Sequence, residues 1–136
     1  MDDHPLFVRG LELLLPITTN GRVEVAASTG DAAAAAALVS SCRPDLALVD
    51  LHMPPPGGIR AVAAIRRTTP RVRVVAMSGS ADPGPAVEAL RAGAEGFLPK
   101  TSEPAPHVAQ AADHHRAPAL RRRRHSRHPP RQCAGG

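Results

Sequence analysis

The chain has 136 residues and a formal net charge of +5, and its only aromatic side chains are two phenylalanines. The charge is unevenly distributed, because residues 1–115 contain ten basic and twelve acidic residues while residues 116–136 contain seven arginines and no acid. No apolar run approaches the ~18 residues of a membrane span, and Met1 does not begin a signal-peptide pattern, which argues against both classes. Cys42 and Cys133 match neither a metal-ligand spacing nor a disulfide framework, so we expect a protein of the reducing cytoplasm.

Helical and strand patterns alternate along the chain. Apolar residues recur at helical spacing from Pro5, and a second proline, Pro16, is expected to end that helix. The alternation of apolar and polar residues over 22–27 predicts a short edge strand. Asp31 is a suitable cap for the alanine-rich helix that follows it. Helices are predicted from Pro5 to Pro16, Asp31 to Arg43, Ile59 to Pro70, 82 to 92 and 104 to 115, and strands at 22–27, 46–50, 72–77 and 95–98.

The strand at 46–50 is the best-defined feature of the sequence. Its residues, LALVD, are apolar without alternation up to Asp50, and the turn-forming segment PPPGG follows soon after. A short apolar run bounded by turn signals is typical of a strand buried on both faces of a parallel sheet. The alternation of helices and strands implies an α/β fold with a doubly wound parallel sheet. We expect one domain over 1–115 and a disordered Arg/Pro-rich tail over 116–136, where the apolar pattern ends.

Acidic, hydroxyl and basic side chains occupy the predicted strand ends. They are the pair Asp2 and Asp3, followed by Asp50, Ser78 and Lys100. The carboxyl ends of parallel strands meet at one edge of a sheet, so we expect these side chains to converge. Carboxylates held together repel one another by ~4 kcal/mol per pair at 4 Å with an effective dielectric near 20. Because Mg²⁺ would remove that repulsion, the pattern predicts a phosphoryl-transfer site with Asp50 as the phosphate acceptor.

Four sequence motifs carry a resemblance to a known family. In chain order they are DDHPLFVRG, LVDLHMPPPGGI, VVAMSGS and ALRAGAEGFLPK. They resemble the receiver domain of bacterial two-component response regulators, and the DDHP opening and Lys100-Thr101 resemble the NarL/LuxR branch of that family. The resemblance covers residues 2–103. It implies a CheY-like (flavodoxin-like) fold with strand order 2-1-3-4-5.

The resemblance also implies a phosphorylation switch. Asp50 would be the aspartate phosphorylated by a sensor histidine kinase, with Ser78 and Lys100 assisting the transfer. Phosphorylation would draw Ser78 toward the phosphate, and Phe97 would then turn inward to fill the vacated space. The domain would act in signal transduction and transcription regulation, and it would not be a classified enzyme.

The resemblance implies a magnesium site as well. Asp3 and Asp50 would supply carboxylate ligands to Mg²⁺, and the backbone carbonyl of His52 would be the third protein ligand. Asp2 would be a supporting acid beside Asp3. No other cofactor is implied.

Two departures from the family pattern are expected to matter. The family has an apolar central strand immediately before the acidic pair, and this chain starts at Met1. Five or six buried apolar side chains contribute roughly 8–18 kcal/mol, whereas whole-domain stability is about 5–15 kcal/mol, so we expect a destabilised domain. The NarL/LuxR branch also continues into a helix-turn-helix domain, which the residues after Lys100 do not resemble. A frameshifted end is one hypothesis for this difference.

Three interpretations of the function remain open at this point. The first is a phosphoacceptor receiver that has a histidine kinase as its partner, is compatible with a homodimer, and has no membrane partner or specific DNA site. The second is a non-functional truncated or frameshifted regulator fragment, which would not be phosphorylated at Asp50. The third is a nucleic-acid-associated protein whose residues 116–136 bind phosphate backbones without sequence preference.

Overall fold

The computed structural model describes residues 1–100 and 104–114. The predicted tail over 116–136 and the domain boundary before it lie outside these residues. The helices are α1 (Pro5–Thr18), α2 (Ala35–Cys42), α3 (Gly58–Thr68), α4 (Gly84–Ala92) and α5 (Pro104–His114), and a 3₁₀ turn at Ala32–Ala34 precedes α2. The strands are β1 (Leu46–Asp50), β2 (Arg73–Ser78) and β3 (Gly96–Pro99).

The described strands form one parallel sheet in the order β1-β2-β3. Asp50 at the end of β1 lies opposite Met77, and Ser78 at the end of β2 lies opposite Pro99. The carboxyl ends of all three strands therefore lie at one edge of the sheet. Lys100 follows β3 directly and reaches the same edge, as the sequence predicted.

Helices cover both faces of the sheet and divide the core in two. On one face α2, α3 and α4 bury apolar side chains that include Val39, Val62 and Ile65, which are at most 2% exposed. On the other face Leu11 and Leu15 of α1 pack with Ala105 and Val108 of α5. The strands contribute to both clusters, because successive side chains of a strand point to opposite faces. This arrangement is the predicted doubly wound α/β architecture.

The strand predicted at 22–27 is not formed, and this corrects the expected count of four strands. Burial alternates along the segment as expected, with Val23 and Val25 half-buried between exposed neighbours. A strand also requires a neighbouring strand to pair with, and the sheet formed by the described residues contains only β1, β2 and β3. The residues that bridge to β1 lie at the chain start, where the Met1 amino group donates to the Leu48 carbonyl oxygen at 2.7 Å and Asp2 N–H donates to Thr29 O at 3.0 Å.

Pro16 does not end α1, which continues to Thr18. A proline this close to a helix end removes one main-chain hydrogen bond and leaves most of the helix unaffected. The last turn is stabilised by two hydroxyl groups, since Thr19 Oγ1 donates to Leu15 O at 2.6 Å and Thr18 Oγ1 donates to Leu14 O at 2.9 Å. Leu15 O also accepts the Thr19 main-chain N–H at 3.1 Å, so the hydroxyl groups add side-chain bonds to the main-chain bonds of this last turn.

Two further observations concern the cysteines and the helices. Cys42 at the end of α2 is disulfide-bonded, which corrects the expectation that the cysteines belong to no disulfide. Separately, none of the helices in the described part of the chain has the length and apolar character needed to cross a membrane.

Candidate functional site

Asp50 is the centre of the acidic edge of the sheet. It is fully buried at the end of β1, and its main-chain N–H donates to the carbonyl oxygen of Met1 at 2.9 Å. Helix α3 begins directly against it, because a Cβ on Gly58 would lie 2.7 Å from the Leu51 Cα and would collide with the carbonyl oxygen of Asp50. A buried apolar strand on one side and a glycine contact on the other therefore fix the position of the carboxylate.

The first residues of the chain bring further acidic groups beside Asp50. One carboxylate oxygen of Asp2, Oδ1, accepts the His4 main-chain N–H at 2.8 Å and lies 2.9 Å from His4 Nδ1. His4 Nδ1 is also 3.3 Å from Asp3 Oδ1 and 3.6 Å from Asp50 Oδ2. One potential ligand atom from each of Asp2, Asp3, His4 and Asp50 lies within 4.8 Å of the others. The sequence predicted the three carboxylates here but not the imidazole.

Lys100 supplies the positive charge of the site. Its Nζ lies 2.7 Å from Asp2 Oδ2 and 3.2 Å from Asp50 Oδ2, and its side chain is 14% exposed. The same ammonium group lies 4.5 Å from the centre of the Phe7 ring, within the range of a cation–π contact. Burial lowers the pKa of Lys100, but its hydrogen bond to Asp2 and the charges of Asp2 and Asp50 outweigh burial and raise that pKa above the usual value.

The donor set fits a hard divalent cation. Oδ1 of Asp3 is buried and, among the described residues, makes no hydrogen bond. Three carboxylates face one lysine, so two negative charges remain unbalanced by Lys100 at the edge of the sheet. Carboxylate oxygens are the ligands that Mg²⁺ prefers in proteins. The acidic cluster of Asp2, Asp3 and Asp50 can therefore hold such a cation, whereas no contact described here involves the His52 carbonyl.

Ser78 lies at the same edge but is joined to Asp50 through another residue. It is 1% exposed, its Oγ accepts the Ser80 N–H at 3.1 Å, and it lies 2.7 Å from Nε2 of His52. The main-chain N–H of His52 in turn donates to Asp50 Oδ1 at 3.0 Å. His52 thus contacts both Asp50 and Ser78.

Two further positions complete the predicted set. The main-chain N–H of Lys100 donates to the Ser78 carbonyl oxygen at 2.8 Å, so the ends of β2 and β3 are tied together. Phe97 on β3 is half-buried and packs against the core beneath α2, α3 and α4. It does not contact the acidic cluster in the contacts described here.

Sequence reasoning missed the side chains of His4 and His52. His4 directly follows the acidic pair, and this adjacency was an available signal. The contact between His52 and Ser78 joins residues 26 positions apart, and no periodicity in the sequence encodes it. The role of Met1 as a main-chain bridge to Asp50 was equally invisible, because it depends on backbone atoms that every residue has.

A parallel sheet with helices on both faces and acidic side chains at its carboxyl edge defines the class as a doubly wound α/β domain. The chain belongs to the family of response regulator receiver domains, whose family model matches residues 1–112. It is a receiver domain of the two-component response regulator type.

Three relatives illustrate this membership. The chain is 40% identical over 101 residues to the "Probable transcriptional regulatory protein NarL" of Mycobacterium tuberculosis, an alignment covering 74% of this chain and 46% of that protein. A LuxR-family two-component response regulator from Aurantimonas sp. SI85-9A1 matches with a TM-score of 0.72 and 34% identity, covering 83% of this chain and 79% of that one. A CheY-like receiver domain protein from Methanospirillum hungatei JF-1, 20% identical, shares the fold with a TM-score of 0.72 over 84% of this chain and 88% of that one. The chain spans about half the length of the curated relatives it matches.

Proposed function

We propose that Asp50 accepts a phosphoryl group from a phosphohistidine of a sensor histidine kinase. The observation that carries this proposal is the buried carboxylate of Asp50, whose Oδ2 lies 3.2 Å from the ammonium group of Lys100. A carboxylate held at the end of a strand beside a fixed cation is suited to accept and retain an anionic group. Positioning and charge neutralisation supply most of the catalysis of phosphoryl transfer.

The transfer exchanges one bond to phosphorus for another. A carboxylate oxygen of Asp50 attacks the phosphorus atom, a P–O bond forms, and the P–N bond to the kinase imidazole breaks. The electron pair of that bond stays on the imidazole nitrogen, and because the other ring nitrogen of the phosphohistidine carries a proton, the imidazole leaves as a neutral ring. Lys100 stays close to the oxygens that gain negative charge, so it stabilises the transferring group electrostatically.

A magnesium ion is part of this proposal. Asp3, Asp50 and the His52 carbonyl would hold the ion, with Asp2 in support. When bound, Mg²⁺ supplies positive charge that neutralises both the carboxylates and the phosphoryl oxygens. The buried Oδ1 of Asp3, which makes no hydrogen bond within the described residues, supports this assignment.

The signal would leave the site through Ser78 and Phe97. The Ser78 hydroxyl donates to a phosphoryl oxygen on Asp50, and the loop after β2 follows it. Phe97 on the neighbouring strand β3 then turns inward. Such a change is a shift between two packings of one face of the domain. The partner is a sensor histidine kinase in the cytoplasm, and homodimerisation of this domain is compatible with the scheme.

Acetyl phosphate provides a direct test, since it donates a phosphoryl group without a kinase. Incubation of the full chain with acetyl phosphate and MgCl₂ should give a singly phosphorylated species by intact mass spectrometry and Phos-tag electrophoresis. The species should be absent from Asp50→Asn and from samples containing EDTA. The matched control is Asp45→Asn, because Asp45 is an exposed acid just before the same strand and should leave phosphorylation unchanged. Modification that survives Asp50→Asn would refute the assignment.

A further inference from the structure

We propose that the His52 side chain is a positioning residue that holds the Ser78 hydroxyl in its resting place and must release it when Asp50 is phosphorylated. This inference rests on the proposed function and concerns the regulation of the same site. It makes His52 a latch on the switch serine, in addition to any role of its main-chain carbonyl.

The contact between the two side chains is short. His52 Nε2 lies 2.7 Å from Ser78 Oγ, and an exposed ring thereby reaches a hydroxyl group on a residue that is 1% exposed. The Ser78 oxygen also accepts the Ser80 main-chain N–H at 3.1 Å. Two contacts from two different loops therefore hold one hydroxyl group in one position.

His52 is placed to couple the phosphoacceptor to the switch residue. Its main-chain N–H donates to Asp50 Oδ1 at 3.0 Å, while its ring contacts Ser78. The first bond uses the backbone and the second uses the side chain. Substitution of His52 therefore removes the contact to Ser78 and leaves the donor to Asp50 in place, so the two contacts can be tested separately.

The chemistry of the serine hydroxyl explains why this contact restrains it. A hydroxyl group has one proton and two lone pairs. If Nε2 is the acceptor, the Ser78 hydroxyl uses its only proton in the hydrogen bond to His52 and cannot at the same time donate to a phosphoryl oxygen. If Nε2–H is the donor, both lone pairs of Ser78 Oγ are occupied, by His52 and by Ser80 N–H. In either tautomer, movement of Ser78 toward a phosphoryl group on Asp50 breaks its contact with His52.

The contact between His52 and Ser78 is expected to have a modest effect on the rate of Asp50 phosphorylation. The net free energy that one ordinary hydrogen bond contributes in a protein corresponds to about a twofold to tenfold change in an equilibrium or rate constant. Removal of the His52 ring should therefore increase the rate constant for phosphorylation of Asp50 by acetyl phosphate by about that factor, because Ser78 becomes free to donate to the transferring group.

Three substitutions in the full chain separate the latch from other effects of His52. His52→Ala removes the ring. The amide of His52→Asn falls short of the Nε2 position, so both variants should be about twofold to tenfold faster than wild type. The longer amide of His52→Gln can reach the Nε2 position and should restore the wild-type rate. Slower phosphorylation in His52→Ala, or a His52→Gln rate equal to that of His52→Ala, would overturn the proposal.

A Ser78→Ala background shows whether His52 acts through the hydroxyl. There His52→Ala should have no further effect on the rate, since there is no hydroxyl left to restrain. If His52→Ala still increased the phosphorylation rate in this background, His52 would act on Asp50 or on solvent access instead. The proposal would then be wrong.

A spectroscopic measurement keeps this proposal separate from the proposed function. In unphosphorylated protein, the ¹⁵N chemical shift of His52 Nε2 should change in Ser78→Ala, because a hydrogen-bond partner is lost. If no variant showed Asp50-dependent phosphorylation, the proposed function would fail, yet this shift would still report the contact. An unchanged Nε2 shift would overturn the latch whatever the phosphorylation assay gave.

Discussion

The ammonium nitrogen of Lys100 lies 3.2 Å from Oδ2 of Asp50, so the proposed acceptor carboxylate is paired with a cationic side chain. Burial lowers the pKa of Lys100, but Asp2 and then Asp50 raise it by more, and the net shift is upward from 10.5. A lysine whose pKa is raised by folding stabilises the protein below the unfolded-state value and loses that contribution as pH rises through the folded-state value.

The first prediction follows from the upward direction of the Lys100 pKa shift. We expect wild type to be more stable than Lys100→Met at neutral pH, with a constant difference until the pH approaches 10.5 and a smaller difference above it. Urea unfolding of both proteins over a series of alkaline pH values measures this difference in free energy. Asp2→Asn should shift the decline to lower pH, because the largest attractive partner of Lys100 is lost. A decline that begins well below pH 10.5 in wild type would contradict the upward shift.

The second prediction concerns Mg²⁺ and Asp3. Metal at ten times its dissociation constant should stabilise wild type by about 1.4 kcal/mol, because a ligand that binds only the folded state adds RT ln(1 + [L]/Kd). Asp3→Asn should lose most of that gain, since it removes the carboxylate whose buried Oδ1 makes no hydrogen bond within the described residues. Thermal unfolding with MgCl₂ or EDTA measures both effects. If Mg²⁺ stabilised wild type and Asp3→Asn equally, the ion would bind at a site that does not include Asp3.

Glu88→Gln is the matched control for that measurement. Glu88 is exposed on α4, and its substitution makes the same change in net charge away from the acidic cluster. Its response to Mg²⁺ should equal that of wild type. A reduced response in Glu88→Gln would mean that net charge, and not the cluster, governs the effect.

The third prediction compares two helical glycines. A methyl group on Gly58 would collide with the main chain of Asp50 and Leu51, whereas a methyl group on Gly10 in α1 meets no atom within 4 Å. We expect Gly58→Ala to cost about 1–3 kcal/mol or more, as insertion into a packed site does. Gly10→Ala should stabilise the protein by about 0.5–1 kcal/mol, as expected for glycine replaced by alanine inside a helix. Urea unfolding of the two variants checks the opposite signs.

Much of the fold could be predicted because the burial of apolar side chains leaves a periodic signal. The run at 46–50 gave β1 with the same limits as the structure, and the positions of Ser78 and Lys100 followed from the neighbouring strands. Once the strands are parallel, their carboxyl ends must share an edge, so the convergence of Asp50 and Lys100 follows from topology alone. Gly93 follows the last residue of α4 with a positive φ of 117°, which glycine adopts without strain, so a glycine at this point of the sequence is a usable helix-end signal.

The errors have a common physical origin. The alternation of apolar and polar residues over 22–27 indicates which side chains are shielded from solvent, and the structure shows that shielding. It does not indicate whether a neighbouring strand supplies hydrogen bonds. Pro16 removes one hydrogen bond, and the compensating hydroxyls of Thr18 and Thr19 are not part of a proline rule. The contact of His52 with Ser78 depends on two loop conformations at once. Long-range side-chain and main-chain pairs are the class of information that local patterns lack.

The main-chain bonds of the first residues have one more consequence. Three hydrogen bonds of the described backbone join Met1 and Asp2 to the rest of the domain, through Leu48, Asp50 and Thr29. Ser78 and Lys100, by contrast, are held by the cooperative ladder of the sheet. Asp2 adds a contact with Lys100 Nζ at 2.7 Å, but opening of this segment alone leaves the sheet ladder intact and therefore costs less than global unfolding. The acidic cluster can thus disassemble while the sheet persists, and the observed affinity for a cation is the intrinsic affinity multiplied by the fraction of molecules in which this segment is docked.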